Sequence, residues 1–357
     1  MRILAIRLGA VGDVLNVLPA IRGLKEAMPQ ARVSWVVEET AAPLLLVSPD
    51  IEKTFAMPRR RWEAALPEPD RAFGLPGQVS RFIRGLAEED FEVILDFQGS
   101  LKSGLLGFMS GVRRRIGFAA PHCREFNHLF TTEQVSLPER AISRAAKSLA
   151  LVRALAPNAS LARPALVCPP GDVEFAKGVV ANLRSDAEKL AGIHPGTSKF
   201  GRLKRWPVER YGEVARRLAT EFRARTIVTW GPGEASLAQQ VVDLSDGAAV
   251  MCPATTLTQL CEIIRYLDVF ISSDTGPLHL AAILGKPVVA IFGPKDPVVY
   301  APYCCAGVIV RKDLPCSPCA KHRCLHPRCI LEITSRDILE AAARMLAVGG
   351  IDPRGAG

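Results

Sequence analysis

No apolar run in this sequence approaches the roughly 18 to 20 residues that a bilayer-spanning helix needs. An export signal is also missing. Met1 to Leu8 is apolar, with arginines at 2 and 7. It runs straight into Gly9-Ala10-Val11-Gly12-Asp13 with no small-residue cleavage site, so it reads as a first strand. Both absences point to a cytoplasmic protein. Aromatic residues are scarce, at 6%, and neither a nucleic-acid reader motif nor arginine–aromatic interleaving is present. Nucleic acid is therefore set aside as a partner. The sequence shows no internal repeat and no low-complexity segment.

What is present is an ordinary globular composition, 48% apolar and 23% charged over 357 residues. That length favours two domains, each large enough to bury a core without covalent staples. Ten cysteines in a chain of this size without an export signal point to thiols, a metal site or core packing rather than disulfides. The net charge of +9, from 45 Lys and Arg against 36 Asp and Glu, favours phosphorylated substrates or an acidic membrane surface.

Short β-branched runs alternate with amphipathic stretches. Strands are expected at Arg2–Leu8, Arg32–Val37, Glu92–Phe97, Leu190–His194, Thr226–Trp230, Val269–Ser272 and Pro287–Phe292. Helices are expected at Val14–Met28, Gln78–Glu88, Ala141–Ala156, Val208–Glu221, Leu257–Tyr266 and Leu278–Leu284. This alternation means βαβ units and parallel sheets, an α/β fold. The proline-rich stretch Pro157–Gly171 is the linker candidate. It separates an N-terminal domain over 1–160 from a C-terminal domain over 161–348, and 349–357 reads as a frayed tail.

Three segments carry chemistry. Arg7-Leu8-Gly9-Ala10-Val11-Gly12-Asp13 passes from strand through a glycine-bearing turn into a helix, without the GxGxxG spacing of a dinucleotide fingerprint. Asp13 either caps that helix or faces a ligand. His194-Pro195-Gly196-Thr197-Ser198, followed by Lys204-Arg205-Trp206-Pro207, gathers hydroxyls, free N–H groups and cations in one loop. Such a loop suits a diphosphate, although a solvated basic loop would explain the cations alone. Ser272-Ser273-Asp274-Thr275-Gly276-Pro277-Leu278-His279 leads from a strand into a helix whose first N–H groups form an anion site. His279 falls one turn after Thr275 on the same face. Plain capping by Asp274 or Thr275, with His279 in the core, is the other reading.

Taken together, these segments resemble glycosyltransferase family nine, the ADP-heptose:lipopolysaccharide heptosyltransferases. The likeness runs from Met1 to about residue 345. It also includes Leu95-Asp96-Phe97-Gln98-Gly99 with Lys102-Ser103, Arg115-Ile116-Gly117-Phe118, and Phe292-Gly293-Pro294 with Asp296-Pro297. The resemblance implies a GT-B fold of two Rossmann-like domains with parallel sheets facing a central cleft, acceptor on the N-terminal domain and donor on the C-terminal one. It implies inverting transfer of heptose from ADP-heptose to the inner core (Kdo or heptose) of lipopolysaccharide, with Asp13 as the base. An aspartate at a helix N-terminus is expected to have a lowered pKa, which suffices for a proton that becomes acidic late in the step.

By the same likeness Thr197, Ser198, Lys204, Thr275 and Gly276 meet the diphosphate. Asp274 and His279 hold sugar hydroxyls or order the loop, Glu234 meets the ribose or adenosine, and Thr255 lies against adenine. Gly12, Arg60, Arg61, Lys102, Arg113 and Arg115 are the acceptor-side candidates, although arginine runs are as often solvated faces. No cofactor is required for catalysis. Cys316, Cys319, Cys324 and Cys329 have the count of a structural Cys₄ site for zinc or iron, or form a reduced thiol-rich loop. Cys304, Cys305 and the other cysteines read as packing. A lipid A–Kdo type acceptor implies peripheral contact with the inner leaflet. The alternatives are a related transferase using another nucleotide sugar, a nucleotide-sugar epimerase, or a retired sugar-nucleotide-binding paralogue.

Overall fold

Strands that are apolar at every position, rather than at alternate ones, belong to sheets covered on both faces. That is the pattern of Val93 to Leu95 in the strand Val93–Asp96 and of Val288–Ile291, each buried residue after residue. The computed structural model describes residues 1–65, 75–138, 142–184, 187–303, 306–319 and 323–348. The expected tail 349–357, together with Ala141, Cys304 and Cys305, lies outside these residues.

The first sheet is built from β1 (Arg2–Ile6), β2 (Arg32–Glu38), β3 (Lys53–Met57), β4 (Val93–Asp96), β5 (Arg114–Phe118) and β6 (Glu133–Val135). Its order is β3-β2-β1-β4-β5-β6, all parallel. The second comprises β7 (Lys189–His194), β8 (Ala224–Val228), β9 (Ala249–Met251), β10 (Val269–Ser273), β11 (Val288–Ile291) and β12 (Gly307–Val310). Its order, β12-β11-β10-β7-β8-β9, repeats the first arrangement. Both sheets are doubly wound. The strand order reverses between β1 and β4, and again between β7 and β10, which opens a crevice at the carboxyl ends in each sheet.

The chain divides into two compact units, one of Met1–Val167 and one beginning at Cys168. Much of the proline-rich stretch lies along the first unit. The Ala162 N–H donates to the Pro19 carbonyl at 3.1 Å and the Val167 N–H to that of Val47 at 2.7 Å. Gly23 permits this approach, because a Cβ there would overlap the Ser160 carbonyl oxygen. In the first core Trp35 stacks on Phe97 with ring centroids 6.4 Å apart. In the second, Trp206 meets Tyr211 edge-on, and its Nε1 donates to the Ile333 carbonyl at 2.9 Å.

Three expectations are corrected. The first long helix is two, Val11–Leu15 and Leu18–Ala27, with Pro19 in the opening turn of the second. The helix expected from Ala141 runs from Arg144 to Arg153 behind Ser143, whose Oγ accepts from the Ala146 N–H at 3.1 Å. Strands β3, β5, β6, β9 and β12 were not expected, and four of them are the sheet edges. Edge strands are short and half solvated, so they lack the continuous apolar run.

Candidate active site

In the first unit the chain leaves β1 at Arg7 and enters the short helix Val11–Leu15, which places Asp13 at the β1/β4 crevice. Asp13 sits between two guanidiniums, with Arg7 Nη2 at 2.6 Å from Oδ2 and Arg144 Nη1 at 2.8 Å from Oδ1. The Ala10 N–H also points at Oδ2, 3.4 Å away. Gly12 is adjacent, and its carbonyl accepts from the Asn16 side-chain amide at 2.8 Å. Arg7 is buried and donates to the Phe97 carbonyl at 3.0 Å, so the loop after β1 is fixed to the loop after β4. Burial lowers the Arg7 pKa and the Asp13 carboxylate opposes that.

The loop after β4 is built on Asp96. Burial pushes its carboxyl pKa up. Four donors pull the other way: the Gln98 and Gly99 N–H groups at 3.0 Å, Ser103 Oγ at 2.9 Å and Asn127 Nδ2 at 2.8 Å. Asp96 thus shapes the crevice wall.

Other cations follow the carboxyl ends of strands in this sheet or lie near Arg144. Lys147 follows Arg144 by one turn and lies 4.2 Å over the Phe118 ring. Burial, followed by repulsion from Arg144 and Arg7, lowers its pKa to about 8. Arg60 and Arg61 lie just beyond the carboxyl end of β3, Arg60 exposed and Arg61 paired with Glu39 at 2.7 Å. Lys102, at the start of the helix Leu101–Met109, stands 3.9 Å from Glu63.

Arg113 and Arg115 do not join them. The register pairs Arg115 with Ile94 at the amino end of β5, the far edge of a parallel sheet from Asp13. Arg115 also donates to the carbonyls of Phe130 at 2.7 Å and Val112 at 2.6 Å, a bracing role. Sequence reasoning passed over Arg144 and Lys147. The available signal was a cation in the first turn of a helix, where the dipole disfavours it unless an acid answers.

In the second unit the loops after β7, β8, β9 and β10 line up along one sheet edge. After β7, Thr197 is buried with its Oγ1 unpaired, and Ser198 is exposed. Both converge with Lys204 on Gly201, where a Cβ would lie 3.2–3.3 Å from all three side chains. Lys204 Nζ donates to the Asp274 carbonyl at 2.6 Å and to its Oδ2 at 2.9 Å, and His279 Nε2 lies 3.2 Å from Oδ1. Burial pushes the Asp274 pKa up, but His279 and Lys204 outweigh it and hold the pKa at about 2.

Thr275 then turns the chain into the helix Gly276–Ile283, its Oγ1 3.0 Å from Ser272 Oγ. The opening N–H groups of that helix point away from its own carbonyls and make an anion seat. After β8, the Glu234 carboxylate accepts from the Gly231 N–H at 3.0 Å and lies 3.5 Å from His194 Nε2. His194 is buried, which lowers its pKa to about 4, so it is neutral near pH 7 and this contact is no ion pair. Gly196 leaves room for the Glu234 carboxylate, which would have to shift if a Cβ stood there. After β9, Thr255 precedes the Thr256 cap of the helix Leu257–Arg265.

The four cysteines near the C-terminus adjoin the loop after β11, where the Cys319 N–H donates to the Pro294 carbonyl at 2.8 Å. Burial raises the Cys329 thiol pKa, and Cys319, Cys316 and Cys324 raise it further. A tetrahedral zinc site needs sulfurs about 3.8 Å apart. Among the described residues, three metal-ligand side chains come within 4.8 Å of one another only at Cys168, Cys261 and Glu262. The expected Cys₄ shell is therefore not closed. Cys168 and Cys261 are buried and hydrogen-bonded to each other, which drives the Cys168 pKa up and keeps that thiol protonated, as packing requires.

Two doubly wound domains, with an anion seat at one switch point and a carboxylate among cations at the other, have the architecture of the GT-B fold. The model of glycosyltransferase family 9 (heptosyltransferase) matches residues 79–330, and the chain belongs to that family. It is 28% identical to lipopolysaccharide heptosyltransferase 1 of Pseudomonas aeruginosa over 91% of this chain and 88% of that protein. Its fold matches the E. coli heptosyltransferase WaaC with ADP at a TM-score of 0.76 and 22% identity, covering 97% of this chain and 100% of that one. It also matches a family 9 glycosyltransferase from Veillonella parvula at a TM-score of 0.81 and 18% identity, over 97% of each chain. No helix among the described residues is long and apolar enough to cross a membrane.

Proposed function

We propose that this heptosyltransferase passes a heptose from ADP-heptose to the inner core of a lipopolysaccharide precursor, a Kdo or heptose hydroxyl, with inversion. The observation that carries the reading is the Asp13 carboxylate at the β1/β4 switch point, held between Arg7 and Arg144. The acceptor oxygen attacks the anomeric carbon, its proton passes to Asp13, and the bond from that carbon to the ADP phosphate breaks with its electron pair leaving on ADP. Two guanidiniums favour the ionised carboxylate, and a hydroxyl that acidifies as its new bond forms needs only a weak base. Gly12, Arg60, Arg61 and Lys102, with Arg7, Arg144 and Lys147, supply the surroundings for an anionic acceptor.

On the second unit the developing charge of ADP falls to Lys204, Thr197, Ser198 and the N–H groups at Thr275-Gly276, donors each worth about 3–4 kcal/mol of barrier. Asp274 and His279 set the Lys204 head and meet the sugar, Glu234 meets the ribose, and the Thr255 backbone lies against adenine. The first unit takes the acceptor, the second the donor, and the transfer uses no cofactor. The protein works at the cytoplasmic face of the inner membrane, peripherally, drawn by its +9 charge to anionic lipid. Zinc or iron on Cys316, Cys319, Cys324 and Cys329 would need the sulfurs to draw together; metal content before and after Cys316→Ser/Cys319→Ser decides that point.

The test is ADP release from ADP-heptose with and without heptose-deficient lipopolysaccharide. Release that depends on the acceptor is expected. Release or epimerisation without acceptor would make this an epimerase-type enzyme, and turnover of a different nucleotide sugar alone would displace the donor.

A further inference from the structure

The helix Leu101–Met109 is built inside out. Ser103, Leu106 and Gly107 turn inward and Gly104 meets the turn Asn127–Phe130, mostly small residues, whereas Leu101, Leu105, Phe108 and Met109 are exposed, Phe108 with its ring edge-on to Phe130. Their spacing of four, three and one residues makes a continuous stripe along one helix face. A surface helix normally shows the opposite pattern. Gly104 lets the neighbouring turn Asn127–Phe130 come close, since a Cβ there would lie 2.9 Å from Asn127 Nδ2 and 3.0 Å from Phe130. That segment adds Phe126 and Leu129, 73% and 71% exposed. Six of the thirteen exposed large apolar side chains among the described residues thus fall on two touching segments.

Exposed cations border this surface. Lys102 lies at the amino end of the helix, Arg124 beside it, where its N–H donates to the Gly99 carbonyl, and Arg113 just past the other end. The acids nearby are engaged: Glu63 lies 3.9 Å from Lys102 and pairs with Arg59, Glu125 accepts from the Leu101 N–H at 3.2 Å, and Glu133 is paired with Arg114 at 2.7 Å. The stripe starts at Leu101, directly after the Asp96 loop that walls the Asp13 crevice.

We propose that the face formed by Leu101, Leu105, Phe108, Met109, Phe126 and Leu129 docks onto an anionic bilayer surface. The apolar stripe enters the headgroup boundary and the cations meet lipid phosphates, the combination that holds interfacial helices. This rests on the proposed membrane-borne acceptor and deepens it, because docking there brings the Asp13 crevice to the lipid surface.

The test is flotation with vesicles of phosphatidylcholine alone or mixed equally with phosphatidylglycerol, comparing wild type with Leu105→Glu/Met109→Glu. Turnover of ADP-heptose on a delipidated, soluble acceptor is measured in parallel. Wild type is expected to float with the anionic vesicles, and the variant to bind them at least about tenfold more weakly, with soluble-acceptor turnover unchanged. Phe126→Ser/Leu129→Ser, on the separate segment, should weaken binding likewise. Equal flotation of all three proteins overturns the proposal. So does absence of flotation together with a wild-type dimer, seen by sedimentation, that the variants break, since the face would then serve a second copy. Flotation as expected with no heptose turnover leaves the docking surface standing and refutes the heptosyl reading alone.

Discussion

Replacing Asp13 with Asn keeps the size of the side chain and removes its charge, which separates the base from the scaffold. The amide retains one acceptor, so Arg7 or Arg144 keeps a hydrogen bond, but neither keeps a counter-ion at 2.6–2.8 Å. Arg7 is the costly partner: its side chain is 9% exposed, whereas Asp13 is 27% exposed and partly screened. Breaking a wholly buried pair costs about 3–5 kcal/mol, and screening at Asp13 reduces that to about 1–2 kcal/mol here. The melting temperature should fall by about 2–8 °C, leaving a folded enzyme. Loss of a general base should lower kcat by about 10²–10⁴. KM for ADP-heptose should hold within about twofold, because the proposed donor residues belong to the other unit. Arg144→Ala, which keeps the carboxylate, should lose about tenfold in kcat. The assay is acceptor-dependent ADP release over a range of donor concentrations. A folded Asp13→Asn enzyme with kcat within tenfold of wild type would refute Asp13 as the base.

Lys204→Met should lower kcat/KM for ADP-heptose by about 10², as loss of one charged donor at a leaving group does, and a change under threefold in the same assay would remove Lys204 from the site. His194 is held neutral, with a pKa of about 4 against the ordinary 6.5. Its contribution is present above pH 6.5 and is lost as pH falls toward 4, reaching roughly 3 kcal/mol of destabilisation. Urea melts at pH 7 and pH 4.5 should show that slope shrinking in His194→Gln, and an unchanged slope would locate the acid sensitivity elsewhere. Gly23→Ala should destabilise the first unit by about 1–3 kcal/mol, despite the better helix propensity of alanine, because its Cβ meets the Ser160 carbonyl. An equal or higher urea midpoint would contradict that packing.

The sequence by itself determined what is local. Apolar runs at β1, β4, β7, β8, β10 and β11 announced central parallel strands, because strands covered on both faces need no alternation. Glycines at 9, 12 and 196, and the Asp274-Thr275 pair, marked where strands give way to helices and hence where ligands come. Order and spacing of those segments pointed to the family. Only the tertiary structure decided which charges share a site. Arg113 and Arg115 read as well as Arg60 and Arg61 in sequence, yet the direction of β5 puts them on the far edge of the sheet. Arg144 lies 131 positions from Asp13 and meets it only because the chain folds back along the first sheet. The edge strands and the outward apolar stripe of Leu101–Met109 were likewise settled by what packs beside them. Propensity and periodicity act over a turn or two of chain, whereas charge pairing and exposure depend on distances that exist only after the sheets are wound.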